Sequence, residues 1–168
     1  MNNTVEPGLI LAGAGNDTLT GTGHGLEIFV GGLGRDVMQG GDRYYGAPFF
    51  GEHIGADDAI GNGAEIEAVG AERDLVLNFT ANDGTGATSD RIHLGLIDAN
   101  TARAGNQAFS FIGAADFSGT AGELRVSALE GTDHLLVAAD TNGDGLADFE
   151  IEVQTEFGAP LSAADFIH

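Results

Sequence analysis

Apolar and polar positions follow two rhythms along this chain. In the first quarter a six-residue pattern recurs: glycine, any residue, acid, any residue, apolar, any residue. It reads Gly15-Asn16-Asp17-Thr18-Leu19-Thr20, then Gly25-Leu26-Glu27-Ile28-Phe29-Val30, then Gly34-Arg35-Asp36-Val37-Met38-Gln39. The acids are spaced by 10 and 9 residues, and the apolar anchors are Leu19, Phe29 and Met38. A tight turn followed by a short strand accounts for each unit, with the apolar residue facing inward. From Tyr44 to Gly70 periodicity is weak, and the chain reads as a last repeat strand followed by a long irregular loop.

Strand-like runs return at 74–79, 91–96, 109–112, 124–129, 135–139 and 149–153. The last is the clearest: Phe149, Ile151 and Val153 alternate with Asp148, Glu150 and Glu152, the period of two of a half-buried strand. Glu150 and Glu152 therefore read as solvated strand face. Asn142-Gly143-Asp144-Gly145 lies between the last two runs and predicts a β-hairpin loop. Helix signals are few; Ser162-Ala163-Ala164-Asp165-Phe166 predicts a capped turn. The pattern predicts an all-β chain with no long helix.

Composition changes that picture in three ways. Sixteen of the 28 glycines precede residue 64, so glycine marks the repeats rather than general flexibility. Hydrophobic residues make up 42% of 168 positions, enough for one domain with its own core. The formal net charge is −20, with all six basic residues arginine. Such a charge repels phosphate and anionic lipid, which argues against nucleic-acid and membrane-surface partners. No apolar run approaches the roughly 20 residues of a membrane-spanning helix, so no membrane insertion is expected. Leu9 to Ala12 is too short for a secretory leader's apolar stretch. The absence of cysteine excludes disulfides and thiolate-bound zinc. Like charge on this scale opposes a compact state, and a bound divalent cation is one way to offset it.

The repeat resembles the nonapeptide of RTX proteins, Gly-Gly-x-Gly-x-Asp-x-apolar-x, which winds into a parallel β-roll. Residues 31–39 match at every defined position; the first unit departs only at Ala12, and the second carries one extra residue and Glu27 for Asp. The resemblance implies calcium as cofactor. Ca²⁺ takes six to eight oxygen ligands, which carboxylates and turn carbonyls supply. The expected ligand set is Asp17, Glu27 and Asp36 with the turns of Gly13, Gly15, Gly32 and Gly34. Because two units complete one coil, Asp17 and Asp36 should share one edge and Glu27 the other. Their 19-residue separation exceeds the regular 18 by one.

Further along, the chain is similar to the C-terminal domain of serralysins. The likeness rests on Asp90-Arg91-Ile92-His93-Leu94, Gly105 to Gly113, Phe117 to Arg125, Asp140 to Ile151 and the closing Asp165-Phe166-Ile167. It implies a calcium-stabilised β-roll continuing into antiparallel, sandwich-like strands, arranged as a roll over about 8–50, an irregular loop over 51–73 and strands over 74–168. It also implies export by a type I secretion apparatus and an extracellular location. The zinc protease domain that precedes this domain in the family has no counterpart: no His-Glu-x-x-His occurs, and the five histidines (24, 53, 93, 134, 168) are scattered. The chain is expected to be non-enzymatic, either a module of its own or the tail of such a protease. A calcium-dependent polysaccharide-binding module, as in secreted alginate epimerases, is the alternative.

Two further groups carry candidate metal chemistry. Asp140, Asn142, Asp144, Leu146 and Asp148 fit positions 1, 3, 5, 7 and 9 of an EF-hand loop, with Gly145 at position 6. Position 12, normally a bidentate glutamate, is Ile151. The loop is thus either a calcium loop lacking its strongest ligand or a polar hairpin held by Asx turns. Asp74 and Asp90 each lead an apolar strand near the expected end of the roll. They read as ordinary strand-leading acids, or as caps on its last calcium site.

Overall fold

The computed structural model describes residues 8–21, 27–39, 53–55, 69–82, 89–95 and 97–167. Among these the chain is all-β, with twelve strands, three short 3-10 turns and no α-helix. No helix is long and apolar enough to cross a membrane.

The first seven strands alternate between two sheets. β1 (Gly8–Ala14), β3 (Glu27–Leu33), β5 (His53–Gly55) and β7 (Arg91–His93) lie side by side in one. β2 (Thr18–Thr20), β4 (Val37–Gln39) and β6 (Asp74–Phe79) lie side by side in the other. Every one of these pairings is parallel. This is the winding of a β-roll, and its register stacks like on like. Leu19 pairs with Met38 and Met38 with Val76. On the facing sheet Ile10 pairs with Phe29, and further along Ile54 pairs with Ile92. Phe29, Val76 and Ile92 are fully buried and Met38 nearly so. The six-residue pattern puts its apolar anchor where successive coils build one continuous core.

The roll does not stop where the glycine repeats stop. β5 falls inside the span expected to be an irregular loop, and β6 and β7 fall inside the expected C-terminal strands. β11 (Phe149–Thr155) then pairs parallel with β6, and β12 (Phe166–Ile167) pairs parallel with β7. Residues 149–167 therefore supply the next strand of each sheet, although no glycine repeat marks them. Between β7 and β11 the chain makes one long excursion. It includes β8 (Ser110–Phe111), β9 (Glu123–Ala128) and β10 (Leu135–Asp140). β10 is antiparallel to both β9 and β11, and β8 is parallel to β9. The antiparallel strands thus extend one sheet of the roll rather than forming a separate layer.

Aromatic contacts fasten the excursion to the last coil. Phe109 meets Phe149 edge-on at 5.7 Å between centroids, and Phe111 meets Phe166 at 5.6 Å. The capped turn forms at Ala163–Asp165: Ser162 donates its N–H and Oγ–H to Asp165 Oδ2 at 2.7 and 2.9 Å. Buried Asp165 also accepts the Asn82 N–H at 2.6 Å, tying the end of the chain to the segment after β6.

The acids on β11 differ from the expected solvated face. Glu152 lies 2.6 Å from His134 Nδ1, and Glu150 forms an ion pair with Arg73 at 3.1 Å. Both glutamate side chains are 16% exposed, so adjacent strands shield what alternation alone assigns to solvent.

Phe29→Ala should destabilise the fold by about 3–5 kcal/mol, since it empties the middle of the stacked column. Leu11→Ala, at a side chain 62% exposed, should cost within about 0.5 kcal/mol. Urea unfolding of the two variants checks this contrast.

Candidate metal centre

The turns that lead from the first sheet into the second stack along one edge of the roll. Glycine is required there for two reasons at once. Gly32 and Gly34 hold φ of 101° and 116°, a region hostile to side chains. A Cβ on Gly32 would also overlap the Gly13 carbonyl oxygen, and one on Gly34 would lie 2.5 Å from the Gly15 oxygen. Gly13 and Gly15 repeat the conformation one coil earlier, at 110° and 125°. Gly31 has a different role: a Cβ there would run into the Asp36 carboxylate. It makes room for the acid, a function the Gly-Gly pair signals only in retrospect.

Each turn ends in an aspartate, and the aspartates form a ladder. Val37 N–H donates to the Asp17 carbonyl at 3.0 Å, and Leu75 N–H donates to the Asp36 carbonyl at 2.9 Å. The side chains repeat that register. Asp17 N–H donates to Asp36 Oδ1 at 2.8 Å, and Asp36 N–H donates to Asp74 Oδ1 at 2.7 Å. Asp36 is fully buried and Asp74 is 4% exposed. Neighbouring parallel strands are about 4.8 Å apart. At that interval, and an effective dielectric near 20, two carboxylates repel by about 3.5 kcal/mol.

Asp17 and Asp36 share one edge, and Glu27 begins a strand of the other sheet, as the spacing implies. The side chain of Glu27 lies outside the described residues. Asp74 is the third rung of the ladder, 38 residues after Asp36, twice the 19 between Asp17 and Asp36. Asp90 is not part of it. It leads β7 in the other sheet, accepts the Thr80 N–H at 2.7 Å and donates its own N–H to the Thr80 carbonyl at 2.9 Å. It closes the β6–β7 connection.

The carboxylates of the ladder are oxygen donors, and the glycine turns at 13, 15, 32 and 34 beside it would add carbonyl oxygens. That chemistry fits a hard cation such as Ca²⁺, and the space left by Gly31 admits the buried carboxylate. Among the described residues no three of His, Cys, Asp and Glu converge on one point.

The hairpin loop 141–148 is separate. Buried Asp140 accepts Gly143 N–H at 2.6 Å on Oδ1 and Gly145 N–H at 2.8 Å on Oδ2. Asn142 Oδ1 accepts Asp144 N–H at 2.8 Å, and Asp144 Oδ1 accepts Leu146 N–H at 2.9 Å. Asp148 Oδ2 accepts the Thr141 N–H and hydroxyl at 2.6 and 2.7 Å. Ile151, at the position of the missing bidentate ligand, is buried in the core. The loop's backbone donors are met by its own side chains, which fixes the course of its turns.

Glu123 faces Asp140 across the β9–β10 pair. Ser118 donates its hydroxyl to Glu123 Oε1 and its N–H to Oε2, each at 2.7 Å. These bonds, the hydroxyl's first, lower the carboxyl pKa from its ordinary 4.5. A carboxylate with a lowered folded pKa adds stability above its unfolded pKa and loses it as pH falls through the folded value.

Two parallel sheets, wound from turn-strand repeats with stacked glycines and acids along one edge, define a parallel β-roll module. A scan against family models finds no match, and neither does a search of curated proteins. Among solved structures the chain is similar to the AlgE6R3 subunit from the Azotobacter vinelandii mannuronan C5-epimerase, with a TM-score of 0.56 and 20% identity. The match covers 96% of this chain and 72% of that one. At this identity the likeness is one of fold.

Ser118→Ala should raise the Glu123 pKa toward its ordinary value and shift the acid limb of stability to higher pH. An NMR titration of the Glu123 carboxyl carbon reads this directly.

Proposed function

We propose that this chain is a non-enzymatic calcium-binding β-roll module whose folding is coupled to calcium. The observation that carries the reading is the ladder of Asp17, Asp36 and Asp74, stacked in register beside glycine turns and partly withdrawn from water. Burying like charges at this spacing is unfavourable unless a cation lies among them. The resemblance of residues 31–39 to the RTX nonapeptide points to calcium as the cation, and the likeness to an epimerase subunit supports the fold on which that reading rests.

The magnitudes suffice for a switch. A site that binds only the folded state stabilises it by about 2.7 kcal/mol at one hundred times its dissociation constant. Two gaps, Asp17–Asp36 and Asp36–Asp74, then supply about 5 kcal/mol, comparable to the whole stability of a small domain. Where calcium is scarce the carboxylates repel and the chain stays open. At millimolar calcium the roll closes. A protein exported unfolded by a type I apparatus and folding outside the cell would use this difference. The net charge of −20 opposes a polyanionic polysaccharide as partner. A glycan surface would have to be reached through bound calcium.

Calcium should raise the melting temperature by about 15 °C over EDTA and increase the β signal in far-UV circular dichroism. Asp36→Asn touches both gaps and should abolish most of that response. Glu130→Gln, at an exposed position, should leave it intact. A melting temperature indifferent to both EDTA and calcium would refute the reading.

A further inference from the structure

The ladder of acids has an end, and the residues there differ in kind. In register, the strand position after Asp17, Asp36 and Asp74 is Ile151, buried in the core. The carboxylate that approaches this third gap is instead Glu150, one residue earlier. Its Oε2 accepts the Gly70 N–H at 2.8 Å. Across the gap stands Arg73, directly before Asp74. Its Nε–H donates to the Gly70 carbonyl, and its Nη1 lies 3.1 Å from Glu150 Oε2. Arg73, Glu150 and both polar groups of Gly70 thus form a closed ring. The two side chains are each only 16% exposed.

The ring brings together a glycine carbonyl from a turn and a carboxylate from a neighbouring strand, the two donor classes that the calcium reading assigns to the earlier gaps. Gly70 stands four residues before Asp74, as Gly32 stands before Asp36, and it too has a positive φ, of 70°. What differs is that a guanidinium sits between the oxygens. Arg35, at the equivalent place one coil earlier, forms no ion pair among the described residues.

We propose that Arg73 is a tethered cation that closes the acid ladder, its guanidinium taking the place that a metal ion takes in the two preceding gaps. The inference rests on the calcium reading above. It limits the metal sites of this edge to the gaps Asp17–Asp36 and Asp36–Asp74. The last coil, residues 149–167, can then dock without calcium of its own. A planar five-donor group suits this position, since it can hold a carbonyl and a carboxylate at once.

The test counts ions. Equilibrium dialysis against Ca²⁺ is run on the full chain for wild type, Arg73→Ala, Arg73→Gln, Arg73→Lys and Glu150→Gln, with melting temperatures taken from EDTA to saturating calcium. Removing the guanidinium should expose the Glu150 carboxylate and Gly70 carbonyl as ligands. Arg73→Ala should then bind one more calcium ion per chain than wild type. Its melting temperature should fall by about 5 °C in EDTA, and the deficit should narrow as calcium rises. Arg73→Lys should keep the wild-type count, and Glu150→Gln should gain no ion. Arg73→Gln reports the same count should the alanine variant fail to fold. An unchanged count in the alanine and glutamine variants, with an equal deficit at every calcium concentration, overturns the role of Arg73 while leaving the calcium reading intact. A wild type that takes up no calcium overturns both.

Discussion

Winding a chain into coils one strand spacing apart places each side chain on the same residue of the coil before. For Leu19, Met38 and Val76 this is favourable, because apolar side chains stacked in register form a core without further help. For Asp17, Asp36 and Asp74 it is unfavourable, because carboxylates stacked in register repel. The same geometry thus stabilises the inside of the roll and strains its edge. Glycines at 32 and 34 let the coils approach closely enough for both effects to matter. The stability of the whole roll turns on what lies between the acids.

The first coils were legible in the sequence because their turns are short. Glycine, acid and apolar anchor recur at nearly constant intervals, which fixed the strands at 18–20 and 37–39 and placed Asp17 and Asp36 on one edge. The later coils obey the same register without the same spacing. The connection into β6 is long, so the ladder interval doubles to 38 and Asp74 looks like any strand-leading acid. β5 is three residues long, too brief for alternation to reveal. The last coil is preceded by an excursion of more than fifty residues, and only its period of two could be read, not its place beside β6. Arg73 carries no sequence signal, since an arginine before an aspartate is common. Its role depends on Glu150, 77 residues away.

The hairpin loop shows the opposite difficulty. Asp140, Asn142, Asp144 and Asp148 suit either a metal or a turn, because both ask for oxygen acceptors at alternate positions. Backbone donors at Gly143, Asp144, Gly145 and Leu146 bond to Asp140, Asn142 and Asp144 here, a pattern that an Asx-turn hairpin and a calcium loop share. The net charge therefore divides by location. Some acids form the ladder, some are consumed by loop backbones as at Asp140, Asp148 and Asp165, and Glu150 and Glu152 hold Arg73 and His134.

Amide hydrogen exchange at Asp17 and Asp36 tests the central claim most directly, because these N–H groups donate to the ladder's own carboxylates. Micromolar to millimolar calcium should slow their exchange at least tenfold, while sodium chloride at matched ionic strength, which only screens charge, should not. Equal protection with both salts, or no change with calcium, would contradict the account.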